Sequence, residues 1–272
     1  MSKIYIGTSG WVYKDWQGLF YPKDLPQNKW LEYYSQKFKT VEVNSTFYHQ
    51  MKPSTFAGWS KKVPKDFVFS IKANRFITHV KRLLDCGWPL ERLLEQVKGL
   101  GDNLGPVLFQ LPPRMKVDEK RLEAFLNELR QPKAGPPLAE ATNQELKVVF
   151  EFRDESWFQD SVFKILGKYN VALVINDSPH FPRPPSAIAS GVSGQAKAEW
   201  ITTDFIYIRF HGPSALYSSE YSNSQLKIWA AKIKRLKNSG ISVFGYFNND
   251  VSGFAVKNAK TLASMVGNLG NY

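Results

Sequence analysis

The sequence predicts an α/β protein, an irregular (β/α)8 barrel of the TIM type with helix six replaced by a long loop, forming one domain over residues 1–272. Three observations carry this expectation. Strand-like and helix-like segments alternate along the whole chain, as in a parallel sheet with helical crossovers. Most strand segments are nearly continuous apolar runs, as expected of strands covered on both faces. Polar residues fall at the carboxyl end of nearly every strand, where a barrel gathers its site, whereas an open sheet relies on one switch point.

The elements follow in order. KIYIGTSG is strand one, and residues 29–37 form a helix after an aromatic loop. TVEVNSTF is strand two, and SKKVPKDFVFSIKA ends in strand three. In PLERLLEQVKGLG, Leu90, Leu93, Leu94, Val97 and Leu100 recur at helical spacing, closed by Gly101. GPVLFQLP is strand four. The next helix has Asp118 as its N-cap and Leu122, Phe125, Leu126 and Leu129 on one face. KVVFEFRD, VALVINDS, FIYIRFHG and ISVFGYFNND are strands five to eight, with helices over residues 157–168, 225–237 and 255–266. Residues 178–204 are rich in Pro, Ser and Gly and lack helical periodicity, so they read as the loop in place of helix six. Residues 131–145, with Pro132, Pro136 and Pro137, read as a second irregular connection.

Composition bounds the function. At 43% hydrophobic the chain can build a large core, and its formal charge of +12 favours anionic partners such as phosphates, nucleic acid or acidic metabolites. The same charge also describes a lysine-rich surface. With Cys86 alone, no internal disulfide or cysteine-based metal cluster forms. The amino terminus runs straight into a strand, and no window nears the roughly 18 apolar residues of a membrane span, so a cytoplasmic protein without a membrane partner is expected.

The strand ends supply the candidate site. Glu42 with Asn44, Lys72 with Asn74, Glu151 with Arg153, and Arg209 with His211 are each two apart, so on a strand each pair shares a face. Unpaired charge facing a barrel interior is costly, so four such pairs predict one polar basin at the carboxyl mouth. The competing reading is an ion-pair network that only closes the barrel top.

The stretches GTSGW at 7–11, FYP at 20–22, VEVNSTFY at 41–48, FQLPP at 109–113, EFRDESW at 151–157, YIRFHG at 207–212 and YFNND at 246–250 together resemble the YecE-like family, domain of unknown function 72. The likeness spans almost the whole chain in matching order. It implies a TIM barrel and no particular activity. That barrel is similar to the apurinic endonuclease and sugar isomerase type, which raises nucleic-acid binding and divalent-metal-dependent phosphodiester hydrolysis by analogy.

The four histidines, His49, His79, His180 and His211, are too few at strand ends for a multinuclear zinc site. A single Mg²⁺ or Mn²⁺ on Glu42, Glu151, Asp177 or Asp250 stays open, though Lys72, Arg153 and Arg209 oppose a cation. Arginine forks bind phosphate or carboxylate instead. Lys72 also fits a Schiff-base lysine, but a nearby Glu42 or Glu151 raises its pKa, which favours a purely electrostatic role. His211 serves equally as general base or structural group. Trp11, Tyr13, Trp16, Phe20 and Tyr21, with Tyr217 and Tyr221, overhang the mouth and can stack on bases or sugars, although Trp11 and Phe20 read as packing. GTSG lacks the third glycine of a dinucleotide fingerprint.

The leading expectation is a mouth that binds an anionic ligand, a sugar phosphate or nucleotide-like group. Glu42, Glu151 and His211 are its candidate catalytic groups. Thr8, Ser9, Asn44, Lys72, Asn74, Gln110, Arg153, Asp177, Arg209 and Asn248 are its candidate ligand contacts, with the cofactor left open. The alternative is a non-catalytic nucleic-acid binder.

Overall fold

Eight parallel strands lie in the order β1-β8-β7-β6-β5-β4-β3-β2, each hydrogen-bonded to the next. The structure is a computed structural model and describes residues 2–131, 146–182 and 201–268. The strands are β1 (Ile4–Thr8), β2 (Thr40–Val43), β3 (Val68–Lys72), β4 (Leu104–Gln110), β5 (Val148–Glu151), β6 (Val171–Asp177), β7 (Phe205–Phe210) and β8 (Ser242–Phe247). The helices are α1 (Trp30–Lys37), α2 (Ser45–Tyr48), α3 (Pro53–Ser60), α4 (Gly87–Val97), α5 (Glu119–Arg130), α6 (Asp160–Lys168), α7 (Asn223–Asn238) and α8 (Phe254–Met265). The loop expected in place of helix six and the irregular 131–145 connection fall largely on residues 183–200 and 132–145, outside the described residues.

Strand alternation divides the apolar residues into two cores. Leu108, Val149, Val174, Tyr207, Phe244 and Tyr246 fill the barrel interior. Their neighbours in sequence, among them Phe109, Val148, Phe150, Ile208 and Phe247, face outward onto the helices. The helices dock by the expected stripes: Leu90, Leu93, Leu94 and Val97 on α4, and Leu122, Phe125, Leu126 and Leu129 on α5. Asp118 caps α5 by accepting from the Arg121 N–H at 3.0 Å, and Ser222 with Gln225 forms a capping box on α7.

Three local expectations are corrected. Strand two stops at Val43, and Asn44 already has helical dihedrals. Strand five stops at Glu151, two residues before Arg153. Helix α3 was not visible in the periodicity; Pro53 at its first turn, a good helix starter, was the available signal.

The ring is nearly closed, and its seam is unlike the other joints. Between β1 and β2 the strands share one isolated parallel bridge, Ser9 to Glu42. The Tyr34 hydroxyl of α1 fills the gap, accepting from the Thr8 N–H at 3.0 Å and lying 3.1 Å from the Thr40 carbonyl to which it donates. Gly7 is required here, because a Cβ at that position would fall 2.2 Å from the Thr40 carbonyl oxygen. Replacing Tyr34 with Phe leaves a buried N–H and C=O unpaired, so Tyr34→Phe is expected to cost about 1–3 kcal/mol, measured by urea denaturation. A loss under about 0.5 kcal/mol would show that the hydroxyl does not hold the seam.

Candidate functional site

The interior residues at the carboxyl ends of the strands form a dehydrated ionic cup. Glu42 and Glu151 are fully buried, and Arg209 is 2% exposed. The guanidinium of Arg209 spans both carboxylates: one amino group donates to Glu42 Oε1 at 2.7 Å and the other to Glu151 Oε2 at 2.8 Å. Glu42 is further held by the Ser9 hydroxyl and, from below, by the Tyr207 hydroxyl, each at 2.7 Å. Tyr207 is in turn bonded to Ser70, which links the ionic layer to the barrel floor. Gln110 donates to Glu151 Oε2 at 2.9 Å. Arg153 Nε touches Glu151 Oε1 at 2.5 Å without the alignment of a hydrogen bond, and the Arg153 guanidinium lies 3.5 Å from the centre of the Phe181 ring.

The network fixes the charge states. Burial pushes the Glu151 carboxyl up, but Arg153 and Arg209 outweigh it and hold the group well below the usual carboxylate range. Burial likewise works against the Arg209 charge, and Glu42 and Glu151 overcome it, so its pKa moves up. His211 is driven well below its ordinary value by burial and then by Arg209. It is neutral, with both ring nitrogens engaged: Asn248 donates to Nδ1 at 3.2 Å, and Nε2 faces Asn176 Oδ1 at 3.1 Å, which assigns the proton to Nε2.

Lys72 is the exception. Its residue is 8% exposed, its Nζ stands 4.0 Å from the Phe47 ring centroid, and among the described residues it takes no hydrogen bond or ion pair. The nearby glutamates do raise its pKa, as expected, but they do not decide the net direction. Burial and then Arg209 push it down to about 8, and Glu151 and Glu42 offset only part of this.

Nine of the thirteen expected residues meet around this cup: Ser9, Glu42, Lys72, Gln110, Glu151, Arg153, Arg209, His211 and Asn248. The other four do not. Thr8 and Asp177 have outward parity: Thr8 bonds Tyr34, and Asp177 Oδ2 accepts from Trp229 in α7. Asn74 lies past the end of β3 and ties its loop together by donating to the Thr46 carbonyl and accepting from the Phe76 N–H. Asn44 has left the strand and lines a cleft of about 690 Å³ beside the cup, shared with Ser9, Tyr13, Trp11, Trp59 and Lys62. Of the aromatics expected to overhang the mouth, Trp11, Trp16, Phe20, Tyr21 and Tyr221 are buried, so packing claims more than Trp11 and Phe20.

Sequence reasoning named two further groups, one as a possible metal ligand and one only in the histidine count, and gave neither a part in the anion site. His79, from the loop after β3, packs edge-on against Phe47 at 5.0 Å and is pushed down to about 4 by burial and by Lys72, Arg75, Arg153 and Arg82. Its four cationic neighbours map a field of positive charge over this side of the mouth. Asp250 is pushed up to about 7, chiefly by burial, with the Tyr13 hydrogen bond opposing. Among the described residues no three His, Cys, Asp or Glu side chains are grouped so as to hold a metal ion. Glu42 and Glu151 spend their oxygens on Arg209, Tyr207, Ser9 and Gln110, and Asp177 points away.

A parallel barrel with a buried ionic cup at its carboxyl face defines a protein of the TIM-barrel class, in which that face is where sites form. The chain belongs to the family described as protein of unknown function DUF72, whose model matches residues 5–271. It is 24% identical over 288 residues to the UPF0759 protein YunF of Bacillus subtilis (strain 168), covering 97% of this chain and 94% of YunF. It is also 30% identical over 109 residues to the UPF0759 protein YecE of Escherichia coli (strain K12), covering 40% and 38% of the two chains. A crystal structure of a DUF72 family protein from Thermotoga maritima MSB8 is 28% identical, with a TM-score of 0.76 over 97% of this chain and 99% of that one. The YecE-like resemblance and the barrel are therefore both established, and no activity comes with either.

Two outcomes follow for stability. Arg209→Met strands two buried carboxylates and is expected to cost about 3–5 kcal/mol at pH 7. The loss should shrink toward pH 4 as the carboxylates take up protons, read by denaturation at both pH values. Asp250 keeps its proton to about pH 7 when folded but releases it near 3.8 when unfolded, so its contribution to stability falls as pH rises through that window. Asp250→Asn is expected to gain on the parent between pH 5 and pH 8 by on the order of 2 kcal/mol.

Proposed function

We propose that the carboxyl mouth is a receptor for a small anionic ligand, a phosphorylated sugar or nucleotide-like group. One observation carries the reading: the cup holds three cations, Lys72, Arg153 and Arg209, against two carboxylates, Glu42 and Glu151, and the excess charge rests on a buried lysine that has no ion pair among the described residues. Uncompensated buried charge is costly, and a bound anion relieves that cost. Arg153 supplies a planar donor fork beside Lys72. The adjoining cleft, walled by Trp11 and Trp59, supplies room for the uncharged part of the ligand. In this reading Glu42, Glu151 and His211 hold the cup in shape, since each is already fully engaged.

Nucleic-acid binding is the second reading. Tyr48 at the end of α2, Phe76 after β3 and Trp88 in α4 are exposed, and Arg92 lies over the Trp88 ring. Salt separates the two readings. Binding to an oligonucleotide weakens by orders of magnitude between 50 and 200 mM salt when about 6–10 phosphates are contacted, whereas a ligand buried in the cup is far less sensitive.

Ribose 5-phosphate is expected to raise the melting temperature where ribose does not, and the rise should vanish in Arg153→Gln and Lys72→Met. Above about pH 8 the Lys72 ammonium loses its proton, so affinity should decline by up to about tenfold per pH unit toward pH 10. No stabilisation by phosphate or by any phosphorylated sugar would remove this function.

A further inference from the structure

Lys72 differs chemically from the other cations of the cup. Arg209 is clamped by two carboxylates, and Arg153 is paired with Glu151 and stacked on Phe181. Among the described residues the Lys72 amine takes no hydrogen bond or ion pair, and the face of Phe47 lies beside it at 4.0 Å to the ring centroid. It stands on the last residue of β3, so a hydrogen-bonded strand sets the position of its stem. The titratable groups around it are Glu42 from β2, Glu151 and Arg153 from the end of β5, Arg209 and His211 from β7 and its end, and His79 from its own following loop. Both carboxylates among them are committed to arginine. The surroundings therefore favour the neutral amine, and burial and Arg209 together bring the group down to about 8. A lysine that is desolvated and set beside another cation is the usual form of a nucleophilic amine.

We propose that Lys72 is a covalent site: its neutral amine condenses with the carbonyl of a small anionic aldehyde or ketone bound in the cup. The choice of an anionic carbonyl compound rests on the anion-receptor reading. Nζ uses its lone pair to form a bond to the carbonyl carbon, and the π pair moves to oxygen, which takes a proton. The resulting carbinolamine loses that oxygen as water, together with the remaining amine proton, and a C=N bond is left. The balance is one amine and one carbonyl giving one imine and one water, with no redox change. Arg153, with Arg75 and Arg82 of the positive field sensed by His79, meets the anionic end. The carbonyl end meets Lys72 at the mouth of the barrel.

The test uses glycolaldehyde phosphate and glycolaldehyde, a pair differing only in the phosphate, each with cyanoborohydride to reduce any imine to a stable secondary amine. Adducts are located by peptide mass mapping of the full chain. Lys72 is expected to be labelled at least tenfold faster than any other lysine, with the rate rising through about pH 8. Inorganic phosphate should slow the labelling, and Lys72→Arg should abolish it while melting like the parent. The phosphorylated reagent should act at lower concentration, an advantage that Arg153→Gln removes. If both reagents label Lys72 equally, the imine site stands and the anion receptor falls. If phosphate stabilises the protein but Lys72 is labelled no faster than exposed lysines such as Lys120, the covalent site falls and the receptor stands.

Discussion

The site depends on one guanidinium holding two carboxylates inside a barrel. Glu42 and Glu151 come from β2 and β5, and neither can stay ionised away from water without a positive partner in contact. Arg209 meets both because its amino groups diverge in a rigid plane. A lysine in its place offers a single point charge and leaves one carboxylate unmet. The clamp also determines what remains reactive. With both carboxylates hydrogen-bonded to Arg209, they offset only part of the burial and repulsion that act on the Lys72 ammonium. Ser9, Tyr207 and Gln110 add neutral hydrogen bonds that position the carboxylates without altering this balance.

Much of this was legible in the sequence, for a definite reason. Apolar runs ending in charged residues two apart specify both a buried strand and the face its last side chains take. That pattern identified the Arg209 and His211 pair and the Glu151 and Arg153 pair. The argument failed where the strand ended sooner than its apolar run implied. Asn44 and Asn74 lie beyond β2 and β3, so counting by two no longer describes them. It also failed by parity at Thr8 and Asp177, which sit beside inward-facing Ser9 and Asn176. Polar character alone did not show which of two adjacent residues faces in.

The groups named without a part in the anion site share a different cause. His79 and Asp250 arrive on loops, where no periodicity sets direction, and their significance comes from neighbours distant in the chain. Lys72 was placed at its strand end, and the glutamates act on it in the expected direction, but burial and Arg209, which the nearest-pair argument left out, decide the net sign. A charge count over the whole cup, and not the nearest pair, decides the sign. Family membership sharpened none of these points, since fold and family here carry no chemistry of their own.

The joint between β1 and β2 gives the barrel an unequal hoop. Seven interfaces are ladders of repeated backbone bonds, while the eighth relies on one bridge and on a phenol borrowed from α1. During folding, the ring cannot lock until that first crossover has docked, however early the other strands assemble. In the native state, this is the joint with the fewest bonds to break in a local opening, and it lies directly beside Glu42. Transient solvent access to the ionic layer is thereby coupled to the seating of a helix on the outside of the barrel.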